Sequence, residues 1–207
     1  MTLLFHLHRQ KSYRTLYSAQ NSAAKKPGQY PESRLTLRAE EQPDHDPRCP
    51  FCAGNEYQTP DPLLVIDANG TLCKGPELPE GWRARVVPNI FPLVVTPAGA
   101  YGDSFRRKLA NIPHSAAAEG KPPNEYLGPL ETDALHPQMD AEGFSEVVIE
   151  GSRHNGLLAI VDVEQVSASL RLLQARARML SEKPGVKQLL YFKQYGPLSG
   201  GSLIHPH

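Results

Sequence analysis

The sequence predicts an α+β fold, and three observations predict it. Short runs of strand formers stand at Leu63–Ile66, Arg83–Val87, Glu146–Glu150 and Leu189–Phe192. A single long segment, Val163 to Leu180, carries apolar residues at three- and four-residue steps, as a helix with one apolar stripe does. No internal repeat is present, so strands mixed with one clear helix define the class. The length of 207 residues leaves ample chain to bury a core. With 22 Lys+Arg against 22 Asp+Glu the formal net charge is zero, which excludes broad electrostatic capture of nucleic acid or an anionic membrane. No apolar run approaches the ~18–20 residues that span a bilayer.

Residues 1–31 hold no acid; the first is Glu32. They read as a basic leader ahead of a domain over 32–207, either poorly ordered or an organelle transit peptide. The run PDHDPRCP from Pro43 to Pro50 is turn-rich and leads into a cysteine pair. Pro60–Trp82 reads as a short hairpin, because Asn69-Gly70 supplies the positive φ of a type I′ turn. Arg83–Val87 is a strand and Pro88–Pro92 its exit. Thr96 to about Ala141 is rich in Gly, Pro, Ala and Ser without a sustained period, an insertion that contributes no core element.

Order returns with the strand at Glu146–Glu150, and Leu157–Val161 is a second strand candidate. Asp162 caps the next helix, with Gln165 placed to complete a capping box. Within that helix Val163, Val166, Leu170, Leu173, Ala177 and Leu180 form the expected buried stripe, and Pro184-Gly185 ends it. Leu189–Phe192 reads as a buried strand.

Three cysteines, two of them in Cys49-Pro50-Phe51-Cys52, make no disulfide framework and point to an intracellular metal site. The Cys49/Cys52 spacing lets two thiolates reach one zinc ion from a tight turn. A redox pair is the rival, although Ala53-Gly54-Asn55 is a poor helix start for one. Zinc needs two more ligands, and His154 and His205 are candidates because each lies on or just after a strand-like segment. His6, His8, His45, His114 and His136 fall in leader or loop sequence and read as exposed. Cys73 reads as a small core residue.

The C-terminal Leu203-Ile204-His205-Pro206-His207 places two histidines at i and i+2, on one face if the backbone is extended. One imidazole can then bind a metal while its neighbour faces a substrate. Upstream, Gly200, Gly201 and Ser202 offer N–H groups and a hydroxyl for phosphate oxygens. A turn followed by a chain end is the alternative reading of the same residues.

Four segments together resemble the galactose-1-phosphate uridylyltransferase family of the histidine-triad superfamily. They are CPFCAGNE (Cys49–Glu56), RVVPNIFP (Arg85–Pro92), EVVIEGSRH (Glu146–His154) and YFKQYGPLSGGSLIHPH (Tyr191–His207), in the family's order. The resemblance implies a mixed, largely antiparallel sheet with packed helices. It implies ping-pong transfer from UDP-glucose to a hexose 1-phosphate such as galactose 1-phosphate, through a uridylyl-histidine on His207. Zinc would sit on Cys49, Cys52, His154 and His205. The resemblance also assigns substrate contacts to Asn89, Ile90, Gln194, Gly200, Gly201 and Ser202, and a homodimer to the full-length protein. The related ADP-glucose phosphorylases share the zinc set and the nucleophile, and a non-catalytic zinc module is a further alternative.

Departures accompany the match. Family members carry a glutamine two residues after the His-Pro-His, whereas this chain stops at His207. Gln194 stands where an asparagine is usual. The chain is therefore expected to be an N-terminal portion with little turnover, cytoplasmic or, if the leader is a transit peptide, organellar.

Overall fold

The computed structural model describes residues 2–6, 41–92, 94, 96–110, 143–196, 201 and 203–207. Among these, six strands form one sheet in the order β3-β2-β4-β5-β1-β6. They are β1 (Thr2–His6), β2 (Leu64–Ile66), β3 (Leu72–Lys74), β4 (Ala84–Pro88), β5 (Ser145–Ile149) and β6 (Gln188–Phe192). Every pairing is antiparallel, which bears out the mixed α+β class. The expected leader over 1–31 thus contributes β1 to the sheet, between β5 and β6; residues 7–31 lie outside the described part.

Strands β2, β4 and β5 are buried along their whole lengths, because both faces of the sheet are covered. Alternation then sorts their side chains. Leu64, Ile66, Ala84, Val86 and Val148 face a cluster with Ala168, Leu172 and Leu180 of helix α2 (Val163–Ser181). Val65, Val87, Val147 and Ile149 face the other way, onto Cys49, Phe51, Cys52 and Trp82. The cysteine turn therefore lies on the face opposite the long helix.

Several expectations are corrected. The β2–β3 hairpin exists, but its connection is a wider loop, Asp67–Thr71, in place of a two-residue type I′ turn. The Asp67 carboxylate accepts the N–H groups of Asn69 and Thr71 at 2.9 and 2.7 Å, and Gly70 takes φ 81°. A side chain that satisfies two turn amides favours the longer loop.

The region from Thr96 does contribute to the core. Helix α1 (Asp103–Ala110) buries Phe105, which meets Tyr101 edge-on at 5.0 Å between ring centroids; Tyr101 in turn meets Phe144 at 6.2 Å. Two aromatic anchors suffice for docking without giving the segment a sustained apolar period. Residues 111–142 lie outside the described part.

Leu157–Val161 is a turn closed by Ile160 and Val161 N–H groups on the Leu157 carbonyl, and no strand forms there. Asp162 caps α2 as expected, accepting from the Gln165 N–H at 2.7 Å. The Gln165 side chain does not close the capping box; it donates to the carbonyls of Arg83 and Glu150.

The buried stripe of α2 is Ala168, Ser169, Leu172, Arg176 and Leu180, whereas Val163 and Leu170 are 79% and 56% exposed. Polar residues enter the buried stripe because their partners wait on β5 and on the residue just beyond it. Ser169 donates to the Glu150 carbonyl at 3.0 Å, and Arg176 pairs with Glu146. Strand β6 is an edge with Leu190 and Tyr191 partly exposed, contrary to the buried strand expected.

Candidate metal centre and the adjoining histidine

Cys49–Cys52 is a tight turn closed by the Cys52 N–H on the Cys49 carbonyl at 3.3 Å. Asn55 holds it from below, donating its carboxamide to the carbonyls of Cys49 and Asp46 at 2.9 and 3.2 Å. The Asp46 N–H points at Cys52 Sγ, 3.4 Å away. Beyond β5, His154 is fixed by its own N–H on the Asp44 carbonyl at 2.7 Å. The C-terminal tail joins through the Glu150 N–H, which donates to the Pro206 carbonyl at 3.3 Å.

These placements bring Cys49, Cys52, His154 and His205 together, all four buried, with one donor atom from each within 4.8 Å of the others. Cys52 Sγ lies 3.3 Å from His154 Nδ1 and 3.5 Å from His205 Nδ1. Tetrahedral zinc with bonds near 2.3 Å to sulfur and 2.0–2.1 Å to nitrogen separates such atoms by about 3.5 Å. The donor set and its spacing fit a metal ion of that kind. His205 Nε2 donates to the Gly151 carbonyl at 2.8 Å, so Nδ1 carries the lone pair that a metal requires.

The electrostatics agree. Burial pushes the Cys49 thiol up to about 12 and also raises Cys52. Burial pulls His205 down to about 3 and lowers His154. The imidazoles are thus neutral donors, and a dication is what would make the buried thiols ionise.

His207 is half-buried beside this group. Its Nδ1 donates to the His205 carbonyl at 2.8 Å, which places the neutral ring's lone pair on Nε2. The tail is bent rather than a regular strand, yet the expected common face holds: both imidazoles meet the Phe51 ring edge-on, at 5.9 Å for His205 and 5.1 Å for His207.

The remaining sequence-derived residues fall as follows. Asn89 follows β4 directly, its N–H on the Ser145 carbonyl at 2.9 Å and its Oδ1 accepting from the Phe91 N–H at 2.9 Å. Ile90 packs against the α2-side core. Gln194 is exposed after β6. The Gly201 N–H is donated to the Gly196 carbonyl at 3.0 Å, so that amide is engaged and not open to phosphate. Gly200 and Ser202 lie outside the described residues. His45 is exposed as expected and reaches the Ala53 carbonyl at 3.0 Å; Cys73 is partly buried against the metal-side cluster.

Sequence reasoning missed a polar brace under the cysteine turn. Arg85 of β4 is fully buried and donates to Thr59 Oγ1 at 2.7 Å and to the Pro50 carbonyl at 3.2 Å. Its guanidinium lies 5.0 Å from the Trp82 ring centroid, and Trp82 Nε1 donates to Glu56 at 2.7 Å. An arginine inside an otherwise apolar strand was the one available signal.

The fold and site define an α+β protein with a buried Cys2His2 group beside a His-Pro-His tail. Among known proteins, residues 136–207 match the model of a domain of unknown function, the DUF4931 N-terminal domain. The chain is also similar to ADP-glucose phosphorylase from Arabidopsis thaliana, 22% identical over 165 residues, covering 77% of this chain and 35% of that protein. A crystal structure of an ADP-glucose phosphorylase from Arabidopsis thaliana with bound ADP-glucose superposes with a TM-score of 0.49 at 22% identity, covering 81% of this chain and 40% of that one. The chain thus spans about a third of the length of the curated relative it matches. Both relatives are named ADP-glucose phosphorylase, and neither is named a galactose-1-phosphate uridylyltransferase. Among the described residues no helix is long and apolar enough to cross a membrane.

Proposed function

We propose that this chain serves nucleotidyl transfer from a nucleoside diphosphate sugar, with His207 as the nucleophile and zinc on Cys49, Cys52, His154 and His205. The observation that carries this reading is the two-residue link between the centre and the tail. His205 contributes its Nδ1 to the metal-binding group, and its carbonyl accepts the Nδ1–H of His207 at 2.8 Å. Zinc, when bound, supplies a fixed anchor for His205 and needs no Lewis-acid role.

The chemistry follows from the tautomer. The Nε2 lone pair attacks the α-phosphorus, the bond to the bridging oxygen breaks, and the sugar 1-phosphate leaves with that electron pair. The ring gains positive charge, which the hydrogen bond from Nδ1–H to the His205 carbonyl stabilises. An oxygen of a phosphate-bearing acceptor then attacks the same phosphorus, and the N–P bond returns its electrons to Nε2. Because the leaving group is good, positioning outweighs acid–base assistance.

ADP-glucose is the donor that the similarity supports, ahead of the UDP-glucose and hexose 1-phosphate pair. Asn89, Ile90, Gln194, Gly200, Gly201 and Ser202 are assigned to nucleotide and phosphate contact, with Gly201 acting through its hydrogen bond to Gly196. The assembly proposed for the complete enzyme is a homodimer.

The test incubates the protein separately with ADP-glucose and UDP-glucose and maps any nucleotidyl adduct by mass spectrometry. An adduct on His207, stronger with ADP-glucose and lost in His207→Asn while zinc content is unchanged, is the expected result. Absence of an adduct with both donors, or its persistence in His207→Asn, overturns the proposal. A stronger adduct with UDP-glucose restores the uridylyl reading.

A further inference from the structure

Arg85 is the most deeply buried charge on the metal side of the sheet, and the transfer chemistry gives it no task. It lies in mid-strand, opposite Val65 of β2 and Ile149 of β5. No part of it is exposed, and among the described residues no carboxylate is hydrogen-bonded to it. Its two terminal nitrogens are spent on neutral oxygens, Thr59 Oγ1 and the Pro50 carbonyl, and its Nε makes no hydrogen bond among the described residues. Burying a guanidinium is costly, and two neutral acceptors, one aromatic face and the Coulombic attraction of Glu56 offset only part of that.

The missing compensation lies in the turn that Arg85 holds. Pro50 sits between Cys49 and Phe51, so the guanidinium is bonded to the backbone of the cysteine turn itself. With a metal bound there, Cys49 and Cys52 would be thiolates, and the guanidinium, which interacts electrostatically with Cys49, would offset part of their charge. The same fork ties the turn to Thr59, whose hydroxyl also donates to the Glu56 carbonyl at 2.9 Å, and Glu56 receives the Trp82 indole N–H. The metal turn and the segment that follows it are thereby bolted to β4, the strand just ahead of Asn89.

We propose that Arg85 is a positioning residue of the metal centre: its forked contacts to Pro50 and Thr59 hold the Cys49–Cys52 turn in its ligating geometry and offset the thiolate charge. This rests on the reading that Cys49, Cys52, His154 and His205 hold zinc. It predicts a loss of metal affinity that exceeds any loss of fold stability. A purely architectural guanidinium, when replaced, weakens the metal-free and metal-bound fold alike, because the Pro50 carbonyl and the Thr59 hydroxyl lose a donor in both. One that serves the centre costs zinc affinity in addition.

The experiment uses the full 207-residue chain and measures zinc affinity by chelator competition. Cobalt absorption reports the tetrahedral geometry, and thermal unfolding of the metal-free protein reports the fold. Arg85→Met is expected to bind zinc about tenfold more weakly or worse, the range for groups that orient metal ligands, with a distorted cobalt spectrum and a metal-free melt lowered by less than the zinc-loaded one. Arg85→Lys keeps a cation without the fork and recovers part of the affinity.

Zinc affinity of Arg85→Met within about threefold of wild type overturns the inference. So does an Arg85→Lys variant no tighter than Arg85→Met. If Arg85→Met does not fold, Thr59→Val decides, since it removes one prong and leaves the charge: weaker zinc binding supports the inference and unchanged binding overturns it. A wild-type chain that takes up no zinc refutes the metal reading and this inference together. That outcome differs from a zinc-loaded chain without nucleotidyl adduct, which counts only against the proposed transfer.

Discussion

Replacing Arg176 by methionine isolates the buried charge pair that fastens α2 to the sheet. Arg176 donates to the Glu146 carboxylate at both oxygens, Nε at 2.8 Å and a terminal nitrogen at 2.6 Å, and Tyr101 Oη donates to it at 3.0 Å. The side chain of Glu146 has no exposure and that of Arg176 only 10%, so little solvent screens the pair. Methionine preserves most of the aliphatic stem, and the cavity contribution is small beside the electrostatic one.

Breaking a buried pair from one side costs about 3–5 kcal/mol, because the surviving charge stays desolvated. The Tyr101 hydrogen bond is retained, which places the expectation near the lower end, about 3 kcal/mol. At roughly 2–4 °C per kcal/mol for a chain of this size, the melting temperature falls by about 6–12 °C. Urea and thermal unfolding followed by circular dichroism, with zinc saturation held equal, read both quantities. Joint replacement of all three polar groups, Glu146→Leu, Arg176→Met and Tyr101→Phe, should recover most of the loss. A single-variant loss below about 1 kcal/mol refutes the reasoning, since that is the value of a solvent-screened pair.

Three further outcomes follow from the same structure. The Cys49 thiol is raised by burial from 9.0 to about 12, so its contribution to metal-free stability is complete below pH 9 and is lost as pH rises through about 12. Zinc reverses the sign, because bound thiolates must be reprotonated for release; denaturation midpoints across pH should therefore fall towards alkali without zinc and towards acid with it. Gly201→Ala places a Cβ 2.8 Å from the Gln194 carbonyl oxygen and 2.9 Å from that of Gly196, so the loop before the histidine tail must shift. A cost of about 1–3 kcal/mol in urea unfolding, with weakened nucleotidyl adduct formation, is expected. His207→Asn should leave zinc affinity unchanged, because His207 Nδ1 bonds to a carbonyl and is no member of the buried four; competition titration checks this.

The sequence made much of the site legible because its signals are local. The Cys49/Cys52 spacing and the His205/His207 spacing are each set within four residues, and backbone geometry over so short a span has few alternatives. The strands at Leu64–Ile66, Ala84–Pro88 and Ser145–Ile149 were likewise legible, because burial on both faces writes consecutive strand formers, interrupted only by Arg85 in β4 and preceded by Ser145-Glu146 in β5. Reading β6 as buried failed for the complementary reason: Leu189–Phe192 is apolar, but its place at the sheet edge is set by β1, far away in sequence. In α2, two stripes share the helical period, and only the sheet opposite decides between them. The winning stripe contains Ser169 and Arg176 because the Glu150 carbonyl and the Glu146 carboxylate lie across from it.

By itself, then, the sequence determined the α+β class, the two cysteines as a pair and the two tail histidines as a pair, since each follows from periodicity or short spacing. The tertiary structure decided that these pairs, 153 residues apart between Cys52 and His205, meet with His154 in one buried group. It also decided that Arg85 braces the turn and that the Nδ1 proton of His207 rests on the His205 carbonyl. Contacts across such separations depend on which strand pairs with which and in what register, and residue order along the chain does not encode that locally.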